Sequence, residues 1–135
     1  MPKHAALSPT YQLIHFLPDV LGYNHQVMDI KQLTLKMNQL VDHHGWYDPA
    51  SSKTQTPRNL AISLCLEAAE VLDHFQWTEE PKNRQDFEGE LADVALYLLQ
   101  IASVCGIDLE QAILDKIEQN WDRVWQEDIE HESGA

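Results

Sequence analysis

Pro57-Arg-Asn-Leu-Ala-Ile-Ser-Leu-Cys-Leu-Glu67-Ala-Ala-Glu70-Val-Leu-Asp-His-Phe-Gln-Trp77 is the stretch that decides the fold. On a wheel of roughly 100° per residue, Leu60, Ala61, Ile62, Leu64, Cys65, Leu66, Ala68, Ala69, Val71, Leu72 and Phe75 cover most of the circumference. Asn59, Ser63, Glu67, Glu70 and His74 share one narrow polar stripe, with Asp73 outside it. A helix apolar nearly all round is a buried helix. Its stripe then faces water through a slot, or an internal polar site. The start is marked by Thr56, a capping hydroxyl, and by Pro57, placed where no amide hydrogen is needed.

A second stretch repeats the pattern, from about Gln85 to Val104, with Gly106 as its stop. Leu91, Val94, Ala95, Leu96, Leu98, Leu99, Ile101 and Ala102 fill most of that wheel. Asp86, Glu90, Asp93, Tyr97 and Gln100 occupy the remaining sector. An earlier helix is predicted from about Met28 to His43, with Ile30, Leu33, Met37, Leu40 and Val41 on one face and Gly45 ending it. A last one is capped by Asp108 and predicted to run to about Trp125. Residues 46–56 and 78–84 are polar connections. Ser8 and Pro9 can start a short helix in an N-terminal extension, residues 1–27. Residues 28–126 form the helical domain and residues 127–135 an acidic tail. The expected fold is all-α, an antiparallel four-helix bundle.

Composition agrees with one globular domain. The chain has 135 residues, 44% hydrophobic and 23% charged, an ordinary balance that excludes a wholly disordered chain. Nine Lys and Arg against 22 Asp and Glu give a formal charge of −13, which argues against binding a nucleic-acid polymer. No apolar run approaches the roughly 20 residues of a membrane span, and no signal-type apolar core follows Met1. The two cysteines, Cys65 and Cys105, sit in apolar patterns and read as buried reduced thiols of a cytoplasmic protein.

Chemistry enters with the acids. The i, i+3 spacing sets Glu67 beside Glu70, and Glu90 beside Asp93. Two such helices, adjacent and antiparallel, bring four carboxylates together. Like charges in a partly desolvated slot are costly, and a divalent cation removes that cost. An all-oxygen set without sulfur suits Mg²⁺. A di-iron bundle would want Glu-x-x-His pairs, and no histidine stands three residues after any of the four acids. His74, one turn after Glu70, reads as a further ligand, a neighbour of the ligands, or an exposed residue. The plain alternative for both acid pairs is a solvated helix face.

Glu67-Ala-Ala-Glu70 followed by Glu90-Leu-Ala-Asp93 resembles the metal-binding signature of the MazG-like nucleoside triphosphate pyrophosphohydrolases. Within this all-α superfamily the dCTP pyrophosphatase branch is the nearest match. Pro57-Arg58-Asn59-Leu60, Phe75-Gln76-Trp77, Asp93-Val94 with Tyr97-Leu98, and Lys116 with Asn120 agree in order and spacing. The likeness covers about residues 28–125. It implies the reaction NTP + H₂O → NMP + diphosphate, in nucleotide-pool house-cleaning, with deoxynucleotides favoured. It implies Mg²⁺ on Glu67, Glu70, Glu90 and Asp93. Glu67 or Glu70 serves as the catalytic base, with Glu67 preferred. Lys116, with Arg123, meets phosphate oxygens; Trp46 and Trp77 stack on the base; Tyr97 and Asn120 contact sugar, phosphate or base edge. It implies a homodimer or homotetramer with sites completed between subunits, and the wide apolar wheels call for the same covering. Leu66 stands where many members carry Glu. The loop from Trp46 to Pro57 is longer than in the dCTP branch, and a first-helix histidine of that branch is replaced near Met37 or Asn38. These last two differences leave the preferred base open. A dUTPase, a phosphoribosyl-ATP pyrophosphohydrolase, and a non-catalytic helical interaction module are the competing readings.

Overall fold

The computed structural model describes residues 27–121 and Arg123. The expected short helix after Ser8, Trp125 and the acidic tail lie outside them. Four helices make up the described fold: α1 Ile30–His43, α2 Pro57–Asp73, α3 Arg84–Val104 and α4 Leu109–Trp121.

Their ends follow local hydrogen bonding. Helix α1 begins after Asp29 rather than at Met28. The Asp29 carboxylate accepts from the Gln32 amide at 2.7 Å, and the Gln32 side-chain oxygen accepts from the Asp29 amide at 3.0 Å, a reciprocal cap that satisfies two otherwise orphaned donors. Thr56 caps α2 by accepting from Asn59 N at 3.2 Å. Asn83 caps α3 through Gln85 N and Asp86 N, and Asp108 caps α4 through Gln111 N at 3.1 Å. Helix α2 stops at Asp73, one turn short of Trp77. There the Phe75 amide bonds back only three residues, to Leu72 O at 3.0 Å, and the single proton of the Thr78 hydroxyl is shared between the carbonyls of Glu80 at 2.6 Å and His74 at 3.2 Å. The chain tightens into a turn because a side chain takes up a terminal carbonyl. Gly106, at φ +66°, closes α3 in the left-handed conformation that favours glycine.

Helix α3 is the axis of the fold. Against it, α2 places Glu67 by Asp93, Glu70 by Glu90 and His74 by Phe87, so the two run antiparallel. Helix α1 also runs antiparallel to α3: Lys31 pairs with Asp108 just past its end, Asn38 donates to Ser103 at 2.9 Å, and Val41 packs with Leu99. Thus α2 runs along most of α3, and α1 packs on the C-terminal half of α3. After the break at residues 105–108, α4 leaves α3 at 106° and packs on α1. No single described helix is long and apolar enough to cross a membrane.

The core is Met37, Val41 and Leu99, with Ile30, Trp46, Tyr47 and Leu109 packed around it. Leu60 and Ala102 are buried as well. The all-round burial expected of α2 and α3 is not reached within one chain. Ile62, Leu66 and Leu72 on α2 and Leu91 and Leu98 on α3 stay exposed, Leu72 to 69%. The cysteine expectation needs the same correction: Cys65 and Cys105 are both exposed. Cys65 lies on α2, where only Leu60 is buried, and Cys105 is the residue that caps the end of α3.

Candidate metal centre and adjoining cavity

The antiparallel register of α2 and α3 brings three carboxylates together. One oxygen each from Glu67, Glu90 and Asp93 lies within 4.8 Å of the others. Glu67 and Glu90 are half-buried and Asp93 is exposed. Glu70 stands outside this triad, although its carboxyl reaches hydrogen-bonding contact with that of Glu90. The acids raise one another's proton affinity. Burial first, then the charges of Glu70 and Asp93, push the Glu67 carboxyl above the usual carboxylate range. Glu90 is pushed the same way, by burial first and then by Glu70, Asp93 and Glu67. A group of oxygen-only ligands under mutual repulsion fits a hard divalent cation, which the repulsion would reward.

Beside the triad opens a cavity of about 510 Å³, within the size range of small-molecule sites. Asp93 and Tyr97 form the wall shared with the acids. Trp46 and Lys53 come from the connection between α1 and α2; Asn59 and Ser63 come from the polar stripe of α2. Trp46 is half-buried, stacked on His44 at 4.7 Å with a ring angle of 18°, and Lys53 Nζ lies 5.1 Å from its centroid. A flat ring held by a second ring is pre-set for stacking.

Behind the cavity lies a buried polar network. The Tyr47 hydroxyl donates to Asn38 at 2.6 Å, and Asn38 donates to Ser103 at 2.9 Å. Burial raises the Tyr47 phenol above its ordinary range, an effect the neighbouring Gln100 amide partly offsets. Gln100, 4% exposed, donates to Gln55 at 2.7 Å. Tyr47 and Gln55 belong to this network without having been singled out by the pattern reading, which marked Asn38 only as a place near which the dCTP branch carries a histidine. Gln100 already shared a polar sector with Glu90, Asp93 and Tyr97, which is the signal that leads to them.

The remaining predicted residues are not brought to the site within one chain. Trp77 lies in the turn after α2, 82% exposed. Lys116 and Asn120 are exposed on α4, which contributes nothing to the wall of the cavity. His74 is neither a member of the triad nor exposed. It is 9% exposed, sits edge-on to Phe87 at 5.4 Å, and its Nδ1 is buried without a hydrogen-bond partner. Phe75 and Phe87 close over this end of α2, at 5.3 Å between ring centroids.

Comparison with known proteins bears on the fold and the family. A crystallised pyrophosphatase from Archaeoglobus fulgidus DSM 4304 superposes with a TM-score of 0.59 at 32% identity, over 73% of this chain and 94% of that one. The dCTP pyrophosphatase 1 of Mus musculus is 37% identical over 76 residues, 50% of this chain and 45% of that protein. A dATP/dGTP diphosphohydrolase of Salmonella phage PMBT28 is 53% identical over 38 residues, 28% of this chain and 13% of that protein. The chain therefore spans about half the length of the dCTP pyrophosphatases it matches. Residues 62–134 match the model of the MazG-like family, a span that holds both acid pairs and all of α3 and α4. Over half of the sequence, and in the register of its two acid-bearing helices, the chain belongs to the MazG-like family.

Proposed function

We propose that this chain is a Mg²⁺-dependent nucleoside triphosphate pyrophosphohydrolase, converting (d)NTP and water to (d)NMP and diphosphate, with a dCTP-like deoxynucleotide preference and a house-cleaning role. The observation that carries the reading is the convergence of Glu67, Glu90 and Asp93 from two helices, within 4.8 Å, at the mouth of a nucleoside-sized cavity. The names of the relatives, pyrophosphatase, dCTP pyrophosphatase and dATP/dGTP diphosphohydrolase, support it.

Glu67, Glu90 and Asp93, with Glu70 beside them, would hold the cation. A divalent ion there supplies neutralisation of the triphosphate and activation of the attacking water. The chain's own groups do the rest. Glu67, with its carboxyl raised above the ordinary range, is a stronger base than an unperturbed carboxylate and is suited to accept the proton of the attacking water. Trp46 gives the base a stacking surface, and Tyr97 closes the wall between base and acids. Lys116, Asn120 and Trp77 complete the site from a second copy of the chain, whose docking would also cover the exposed leucines of α2 and α3.

A panel of ribo- and deoxynucleoside triphosphates, with dUTP and phosphoribosyl-ATP included, tests the reading by diphosphate release. Mg²⁺-dependent turnover of a dNTP, abolished by EDTA and restored by Mg²⁺, is the expected result. Turnover confined to phosphoribosyl-ATP or dUTP would hand the chain to one of those related activities. No turnover on any member would leave a binding module.

A further inference from the structure

Three side-chain amides, Gln55, Asn59 and Gln100, form part of the cavity wall, and hydrogen bonds fix their orientation. Gln55 Nε2 donates to the backbone carbonyl of Lys53 at 2.7 Å. That carbonyl can only accept, so the nitrogen of Gln55 must stand at that end and its Oε1 at the other. Gln55 Oε1 in turn accepts from Gln100 Nε2 at 2.7 Å, which fixes the second amide as well. The nitrogen of Gln100 is taken up by Gln55, with the Tyr47 hydroxyl also within its reach. Its Oε1 is left over. Gln100 itself lines the cavity. Asn59 repeats the arrangement. Its Nδ2 donates to both the carbonyl and the hydroxyl oxygen of Thr54, at 3.0 and 2.9 Å, and its Oδ1 stays an acceptor. Two amides from two helices, both lining the cavity that Asp93 also lines, thus spend N–H groups on the 53–55 segment and keep their oxygens as acceptors.

We propose that this relay makes an acceptor edge for the nucleobase, so that the cavity selects a base with an exocyclic amino group, cytosine or adenine, over uracil or thymine. Gln100 and Asn59 are the reading groups; Gln55 positions Gln100. The inference rests on the nucleotide-binding reading above. Cytosine and uracil share one shape. Cytosine brings an N–H donor to the edge where uracil brings a carbonyl oxygen, and an oxygen facing Gln100 Oε1 leaves both unpaired.

Calorimetric titration of dCMP and dUMP, in Mg²⁺ buffer, into the full-length protein measures this apart from catalysis. Wild type should bind dCMP roughly 10- to 100-fold more tightly, the scale of one unmatched buried hydrogen bond. Gln100→Leu should bring the two affinities together. Gln55→Leu should narrow the gap while dCMP still binds, because Gln100 is then free to turn its nitrogen inward; this variant serves even if Gln100→Leu does not fold. Equal affinities in wild type, tighter dUMP, binding of neither, or an unchanged gap in Gln55→Leu would overturn the proposal. Diphosphate release on the same samples separates the two claims. Selective dCMP binding without turnover keeps the acceptor edge and removes the hydrolase. Turnover of dCTP and dUTP with equal monophosphate affinities keeps the hydrolase and removes the edge.

Discussion

The two sides of the α2–α3 pair are made of similar sequence and end in opposite states. On one side α1 and the 44–56 connection close over Leu60, Leu99 and Gln100, leaving a cavity with an ordered polar lining. On the other, Ile62, Leu66, Leu72, Leu91 and Leu98 meet solvent. Wheel positions alone do not separate them, since both are rows of aliphatic residues. The difference comes from connectivity: α1 and the 44–56 connection pack on one side, and among the described residues nothing covers the aliphatic row on the other. An apolar surface of that extent on a small chain is the kind that protein association covers. The lesson is that one chain brings the three carboxylates together, while the aliphatic row on the second side stays uncovered among the described residues.

Breaking the covered side should have the largest effect. Asp93→Asn removes a triad carboxylate that also lines the cavity. Loss of a mere neighbour of a ligand typically costs about 10–100-fold, so diphosphate release should fall by at least roughly a hundredfold, with the far-UV circular dichroism spectrum kept. Next comes the stacking surface. Trp46→Ala should raise KM for the best dNTP about ten- to a hundredfold, since stacking on an aromatic side chain is worth roughly 1–3 kcal/mol per base. Trp77→Ala should do so only in an assembled protein, because one chain leaves Trp77 outside the cavity. Steady-state kinetics with light scattering on both variants decides this. Ile62→Glu probes the open side. It should convert the assembly to single chains in light scattering, with Mg²⁺ affinity retained; an unchanged mass would place the subunit contact elsewhere.

Smaller effects concern the metal-free state. Glu70→Gln relieves repulsion on Glu90 and Glu67, so the Tm in EDTA should stay or rise while turnover is lost; a fall in Tm with normal specific activity would make Glu70 structural. The pH response has a definite sign. Glu67 and Glu90 have carboxyls raised in the folded chain, so their contribution to stability is complete below the ordinary carboxylate range and is lost as pH rises through the raised values. Asp73, held below its ordinary range by the hydrogen bond and charge of Lys82, works in the opposite direction, but only at more acid pH. Lowering pH from 7 toward the ordinary carboxylate range in EDTA should therefore raise the Tm slightly, and saturating Mg²⁺ should flatten that slope.

Much of the fold was legible because it depends on local chemistry. Thr56-Pro57, Asp108 and Gly106 mark ends that the structure keeps within a residue or two, and the i, i+3 acid pairs predict which carboxylates share a face. The end of α2 was not legible, since it depends on a Thr78 hydroxyl taking the His74 carbonyl. The burial of His74 depends on Phe87, thirteen positions away on another helix, and no pattern within α2 shows it. Cys65 illustrates the general limit: an apolar wheel says that a face wants covering, not whether the same chain provides it. The i, i+3 pairs pointed to four acids on facing helices; the structure groups Glu67, Glu90 and Asp93 and leaves Glu70 beside them, which is a matter of the register between two helices.

The central claim is that the α2–α3 triad is a divalent-cation site belonging to this chain. Calorimetric titration of Mg²⁺ into the metal-free protein and into Glu90→Gln tests it most directly. The account predicts saturable binding in wild type and its loss in Glu90→Gln, with the variant still folded by circular dichroism. Equal Mg²⁺ affinity in the two proteins would contradict it.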